Sequence, residues 1–259
     1  MLKNKSVLIA GATGVLGRAI TLAFASEGAR LALGGRKLAA LQTLRTEALA
    51  AGAAAVEIFE WDLSSEESTR AAITTTLAAF STLDVFIAAA GAAQGGVFWE
   101  IDDDSWQRHL AAKLFGTLRA LRLIGPIMIR QRAGRMVLVV GNSARQPEPR
   151  MLPGAVANAG LLAVVRGLAD ELGPHGVSIN AVNPGPVRSS RWQGLMEQTA
   201  AREGGTAADA ETRFLQQAAL RRLATADEVA RHVLFLASEA AAHMTGTSIT
   251  VDGGSTRAP

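Results

Sequence analysis

The sequence predicts an α/β protein built on a single doubly wound parallel sheet of about seven strands, flanked by helices on both faces. Three observations predict it. Short apolar runs alternate with helix-period patterns from end to end of the 259 residues, as successive βαβ units require. A glycine-rich turn joins the first apolar run to the first helical pattern. The chain is 49% apolar and has no internal repeat or interdomain linker, so residues 1–259 suit one large domain.

Each element follows in order. Residues 6–10 are a short apolar run ending at the glycines. A helix at 17–27 comes next, with Gly28 just past its end as a C-cap. Strand 30–33 leads to a helix at 38–51, and strand 55–59 to a helix at 66–80. Residues 85–90 are apolar throughout, the pattern of a strand buried on both faces. Residues 105–132 contain a long helix, preceded by Asp102-Asp103-Asp104 and Ser105, which cap its start and complement its dipole. Strand 135–140, helix 152–172, strand 177–182, helix 226–238 and strand 248–251 complete the series. Right-handed crossovers leave few ways to order these strands. The stretch at about 186–220 is polar and glycine-containing, with helical pieces, and is expected to form a lid or substrate loop.

Composition narrows the function classes. No uninterrupted apolar run reaches the roughly 18 residues of a membrane span, and the start of the chain lacks a signal-peptide pattern, so a cytoplasmic location is expected. The absence of cysteine excludes disulfides, thiolate metal sites and thiol catalysis. The pI of about 9.9 suggests nucleic acid, but the net charge is only +3. With no Tyr, no Cys and four lysines (Lys3, Lys5, Lys37, Lys113), little titrates between pH 7 and the pI, so a small arginine excess sets it. No run of like charges marks a nucleic-acid tail. His109, His175, His232 and His243 are scattered without metal-ligand spacing, so no metal site is expected.

The turn itself reads Ala10-Gly11-Ala12-Thr13-Gly14-Val15-Leu16-Gly17. Glycines between a strand and a helix permit a tight turn and let the backbone approach a pyrophosphate, while the helix start supplies free N–H groups and a positive dipole end. This context makes Gly11, Thr13, Gly14, Val15, Leu16 and Gly17 candidate dinucleotide-binding residues. The tip of the second strand, Leu33-Gly34-Gly35-Arg36-Lys37, lacks the acidic residue that usually holds the ribose hydroxyls of NAD. Arg36 and Lys37 instead suit a 2′-phosphate, which favours NADP(H) over NAD(H).

The GxxGxxG spacing resembles that of the short-chain dehydrogenase/reductase family, a Rossmann-fold family. The turn is closer to its extended branch, while the length and the rest of the chain match its shorter members. The resemblance assigns Asp62 and Leu63, in Trp61-Asp62-Leu63, to the adenine. It assigns Ala90 and Gly91, in Ala88-Ala89-Ala90-Gly91, to the adenosine pocket, with alanines where the family has asparagines. Pro184, Gly185, Val187 and Ser189 would face the nicotinamide, Val187 through its backbone and Ser189 through its hydroxyl. The C-terminal segment and the long helix around Gly116 resemble regions that pack subunits, which implies a homotetramer or a hetero-oligomer with a homologue.

The resemblance fails at the family's chemical centre. Gly154-Ala155-Val156-Ala157-Asn158-Ala159-Gly160 aligns with YxxxKAG, so Gly154 stands in place of the Tyr acid and Asn158 in place of the Lys. No Tyr occurs anywhere in the chain. The Ser position falls on Gly141, with Ser143 two residues on, and the family's helical Asn is Lys113. Lys and Asn thus exchange places, and Lys113, Ser143 and Asn158 are the candidate catalytic residues. Lys113 delivers its ammonium to the pocket, or it lies along its helix and reaches a carboxylate. Arg145 and Arg150 bind an acidic substrate or are exposed loop residues. Trp192 covers a ligand or packs between lid helices. Two functions follow: an NADP(H)-dependent oxidoreductase of divergent mechanism acting on a carbonyl or alcohol, or a non-catalytic NADP(H)-binding subunit or sensor.

Overall fold

The computed structural model describes residues 2–91 and 96–257. Seven strands form one parallel sheet: β1 (Ser6–Ala10), β2 (Arg30–Gly35), β3 (Ala55–Glu60), β4 (Val85–Ala88), β5 (Gly134–Val139), β6 (Val177–Pro184) and β7 (Ser248–Val251). Their order is β3-β2-β1-β4-β5-β6-β7. The order reverses direction at β1, which lies between β2 and β4, so the crevice at its carboxyl end is where such sheets bind ligands. The doubly wound α/β fold expected from the sequence is the fold observed.

Period-two geometry divides the core into two layers. In β1, Val7 and Ile9 point to one face and Leu8 and Ala10 to the other; β2 divides in the same way, with Leu31 and Leu33 opposite Ala32. Helices α1 (Val15–Ser26), α2 (Leu38–Ala50) and α9 (Ala226–Ala237) cover the first face. Helices α3 (Glu66–Phe80), α5 (Gly116–Gln131) and α6 (Leu152–Leu172) cover the second. Local chemistry sets the helix starts. Ser65 caps α3 by accepting from Ser68 N–H, and Thr225 with Glu228 forms a capping box on α9. The helical segment Leu152–His175 is long and apolar enough to cross a membrane by length and composition, but the inner side of α6 packs on the sheet.

Several bounds shift by up to two residues, β2 and β6 running on to Gly35 and Pro184 and α1 starting at Val15, and two differences bear on the site. The fourth strand ends at Ala88 rather than Ala90: Ala89 N–H still donates to Ala10 C=O at 3.0 Å, after which the chain leaves the sheet. The long helix expected within 105–132 is divided. Helix α4 (Asp103–Leu110), capped by Asp102 as expected, passes through a π-helical turn (Ala111–Phe115) into α5. Such a turn accommodates an extra residue and is often found at functional sites. The 186–220 stretch holds α7 (Ser190–Glu203) and α8 (Ala207–Leu215), packed together around Trp192, Met196, Ala210 and Leu223.

Candidate functional site

The glycine turn is closed by its own backbone. Gly11 and Ala12 N–H both donate to Gly34 C=O at 3.0 Å, and Gly14 N–H donates to Gly11 C=O at 3.1 Å. Gly11 has φ +77°, and a Cβ there would lie 2.6 Å from Ala90 Cα; one on Gly17 would collide with the Gly11 carbonyl oxygen. The turn is therefore as tight as backbone permits. Gly14 caps α1 without a side-chain hydrogen bond, and the first turn carries no acid. The N–H groups of Val15, Leu16 and Gly17 thus open the helix with no side-chain acceptor in front of them. The Thr13 side chain lies against Gly35. Both features suit an anion at this end of the sheet.

The residues assigned to the adenosine half lie around the turn. Arg36 and Lys37 are exposed at the end of β2. Asp62 accepts from Ser64 N–H (2.9 Å) and Oγ–H (2.7 Å) through Oδ1. These bonds first, and then the Arg36 and Arg119 charges, hold its carboxyl below the usual range, with burial opposing. Leu63 is buried, its carbonyl taking Arg119 Nη1–H at 2.6 Å. Ala90 packs on Gly11, and Gly91 lies under the Lys113 side chain.

The three candidate catalytic residues meet at the end of β5. Lys113 rides on the π-helical turn and donates from Nζ to Val140 C=O at 2.7 Å. It does not run along its helix to a carboxylate. Desolvation, and then the Arg191 charge, lower its pKa from 10.5 to about 8. Asn158 is buried on α6 and donates from Nδ2 to Ser143 Oγ at 2.8 Å. Its Oδ1 is buried with no partner. Gly141 has φ +125°, and a Cβ on it would lie 2.9 Å from Asn158 Nδ2. The amide thus fills the space a side chain at 141 would need. Gly154 is buried one turn before Asn158.

On the other side of the crevice, Pro184 ends β6 and Gly185 N–H donates to Val251 C=O at 3.0 Å. Val187 pairs with Ala224. The Ser189 hydroxyl donates to Val187 C=O at 3.1 Å and caps α7 by accepting from Trp192 N–H at 3.2 Å, so it is engaged as a helix cap. Trp192 packs between α7 and α8: its indole N–H donates to Glu211 at 2.9 Å and its ring meets Phe214 edge-on at 4.8 Å. Arg145 reaches Ser248 Oγ at 3.2 Å, and Arg150 is exposed with φ +66°. The sequence reading missed Val140 and Arg191. Neither belongs to a motif, and only the tertiary fold brings them to Lys113.

This arrangement fits a bound dinucleotide. The cradle excludes side chains where a pyrophosphate would rest, the helix start offers donors with no side-chain cap, and Asn158 Oδ1 is a buried acceptor without a protein partner.

Comparison with known proteins gives the family and its relatives. The family model described as enoyl-(acyl carrier protein) reductase matches residues 11–256. The chain is 31% identical to a short-chain dehydrogenase/reductase of Armillaria gallica, over 97% of this chain and 96% of that one. It is 26% identical to the NADPH-dependent reductase BacG of Bacillus subtilis, over 98% of each. Its fold superimposes on NAD+-bound xylitol dehydrogenase with a TM-score of 0.93 at 23% identity, covering 98% of this chain and 99% of that one.

Proposed function

The chain belongs to the short-chain dehydrogenase/reductase family, and on that premise we propose that it is an NADP(H)-binding oxidoreductase of divergent mechanism acting on a carbonyl or alcohol. One observation carries this reading. The Lys113 ammonium is tied to Val140, the residue after β5, and the Asn158 carboxamide to the Ser143 hydroxyl just beyond it, in a chain without tyrosine.

The dinucleotide, when bound, supplies or accepts the hydride. The protein holds it. Gly11–Gly17 and the α1 start take the pyrophosphate, with Thr13, Val15 and Leu16 in that turn. Arg36 and Lys37 take the 2′-phosphate. Asp62, Leu63, Ala90 and Gly91 surround the adenosine. Asn158 Oδ1 accepts from a ribose hydroxyl, and Pro184, Gly185, Val187 and Ser189 line the nicotinamide end. Similarity to an NADPH-dependent reductase and the absence of an acid at the end of β2 support NADP(H), while likeness to an NAD+-bound dehydrogenase supports only the fold.

Lys113 then does the work of an acid. An ammonium with a pKa of about 8 holds its proton at neutral pH and releases it readily to a developing alkoxide. Ser143 Oγ–H orients the carbonyl oxygen, and Asn158 Nδ2–H holds Ser143 in place. General acid catalysis of this kind is worth about 10²–10⁴ in rate. We further propose a single domain, a lid formed by residues 186–220, and a homotetramer.

Gly154 in the family's Tyr position and the tie of Lys113 to a main-chain carbonyl favour a second reading, a non-catalytic NADP(H)-binding subunit or sensor. Calorimetry with NADPH and NADH, followed by NADPH oxidation against a panel of carbonyl compounds, tests both. Micromolar NADPH binding, about −8 kcal/mol, with turnover lost in Lys113→Ala supports the enzyme. Binding without turnover supports the sensor, and binding of neither nucleotide overturns both.

A further inference from the structure

A cleft of about 570 Å³ opens at the amino-terminal ends of β1, β4, β5 and β6, at the opposite edge of the sheet from the glycine turn. Its volume lies within the range of small-molecule sites, and no step proposed above uses it. Lys5, Asp84, Arg135, Ser178, Glu239 and His243 are among its charged and polar lining.

The balance of donors and acceptors in this cleft is uneven. Asp84 is engaged: Oδ1 accepts from Lys5 Nζ at 3.3 Å, and Oδ2 accepts from Ser6 N–H at 2.8 Å. Arg135 is the reverse. Its side chain is only 17% exposed, yet among the described residues its ion pair, 3.0 Å to Glu239, is with a carboxylate that is 78% exposed. A guanidinium carries five N–H donors in a fork that matches a carboxylate or phosphate. Ser178 adds a second unmatched group. It is the register partner of Arg135 across β5 and β6, so both side chains leave the same face of the sheet. Its hydroxyl is buried without a partner. Among the described residues, the cleft therefore holds a guanidinium with N–H donors left over after Glu239 and a buried hydroxyl without a partner.

We propose that this cleft is a second binding site, for a small oxyanion of the carboxylate or phosphate class. Arg135 binds it bidentately and displaces Glu239 toward solvent. The Ser178 hydroxyl reaches it by rotation about χ1, and Lys5 adds positive charge at the rim. The site is independent of the redox reading, because it shares no residue with the nucleotide crevice.

Calorimetric titration of the full chain with inorganic phosphate, and in parallel with malonate, tests it; whichever anion binds more tightly identifies the oxyanion geometry. Arg135→Gln should weaken binding roughly tenfold or more, as expected for loss of a charge-assisted bidentate contact. Glu239→Gln removes only an exposed carboxylate that competes for Arg135, and it should tighten binding about threefold. The double variant Arg36→Ala/Lys37→Ala should leave this binding unchanged, separating it from any anion held at the nucleotide crevice. Absence of saturable binding of either anion to about 10 mM overturns the proposal. So does binding that ignores both Arg135→Gln and Glu239→Gln, or binding that disappears with Arg36 and Lys37.

Discussion

The glycine cradle and the centre at the end of β5 lie in one crevice, but they are built by different means. The cradle is backbone: two N–H groups on the Gly34 carbonyl, one on Gly11, and a Gly17 that touches the Gly11 oxygen. Its shape depends on the missing side chains of Gly11 and Gly17 within seven consecutive residues. The centre is made of side chains from separate elements: Lys113 from the π-helical turn, Ser143 from the loop after β5, and Asn158 from α6. A cradle of this kind tolerates almost no substitution. A centre of this kind can exchange its groups while keeping its place, because each group comes from a different element.

The largest expected effect probes the centre. Lys113→Ala should lower NADPH-linked turnover by about 10²–10⁴-fold while leaving NADPH affinity within about threefold. Steady-state kinetics beside calorimetry checks both. In the wild type, the acid must be protonated, so turnover should fall as pH rises through about 8. A rate that stays level across that range removes Lys113 from the acid role. The same depressed pKa opposes folding at neutral pH, and the penalty fades as pH rises from about 8 toward 10.5. Lys113→Met should therefore be relatively more stable at pH 7 than at pH 10, which denaturant titrations at the two pH values would reveal.

A second prediction tests the cradle. Gly17→Ala places a Cβ against the Gly11 carbonyl, and should weaken NADPH binding by about 100-fold, ~2.7 kcal/mol. Wild-type affinity in that variant would mean that the turn yields and that backbone closure does not define the site.

Gly141→Ala is the counterpart at the centre. The new Cβ would lie 2.9 Å from Asn158 Nδ2 at a φ of +125°. The expected cost is about 1–3 kcal/mol in stability, with loss of the Asn158–Ser143 bond. Urea denaturation gives the first, and a drop in kcat without a matching change in nucleotide affinity gives the second. If the two glycine variants behave alike, the contrast between backbone and side-chain construction is wrong.

The smallest effect concerns selectivity. Arg36→Ala or Lys37→Ala, each exposed, should reduce the preference for NADPH over NADH by about tenfold, ~1.4 kcal/mol, and this should weaken further with salt. Equal loss for both nucleotides would assign these residues to the pyrophosphate or to neither.

Much of this molecule was legible in its sequence. The β1 run, the glycine turn and the α1 pattern lie within some twenty consecutive residues, and their meaning comes from local periodicity and from glycine's lack of a Cβ. The Asp102 cap was legible for the same reason, because capping acts over three residues. Trp192 was ambiguous until α7 and α8 were seen to enclose it. The Ser189 hydroxyl was assigned to a ligand by resemblance, although Ser three residues before Trp192 is also a cap signal.

By itself, the sequence determined the α/β class, the alternation of elements, the cradle and the absence of a tyrosine acid, since each rests on residue type or short-range spacing. Only the tertiary structure decided the rest. Lys113 meets Val140 across 27 residues and Asn158 meets Ser143 across 15, and Arg135 lies beside Ser178 only because β5 and β6 pair in that register. Contacts at such separations depend on strand order, register and burial acting together, and none of these is a property of any short stretch of chain.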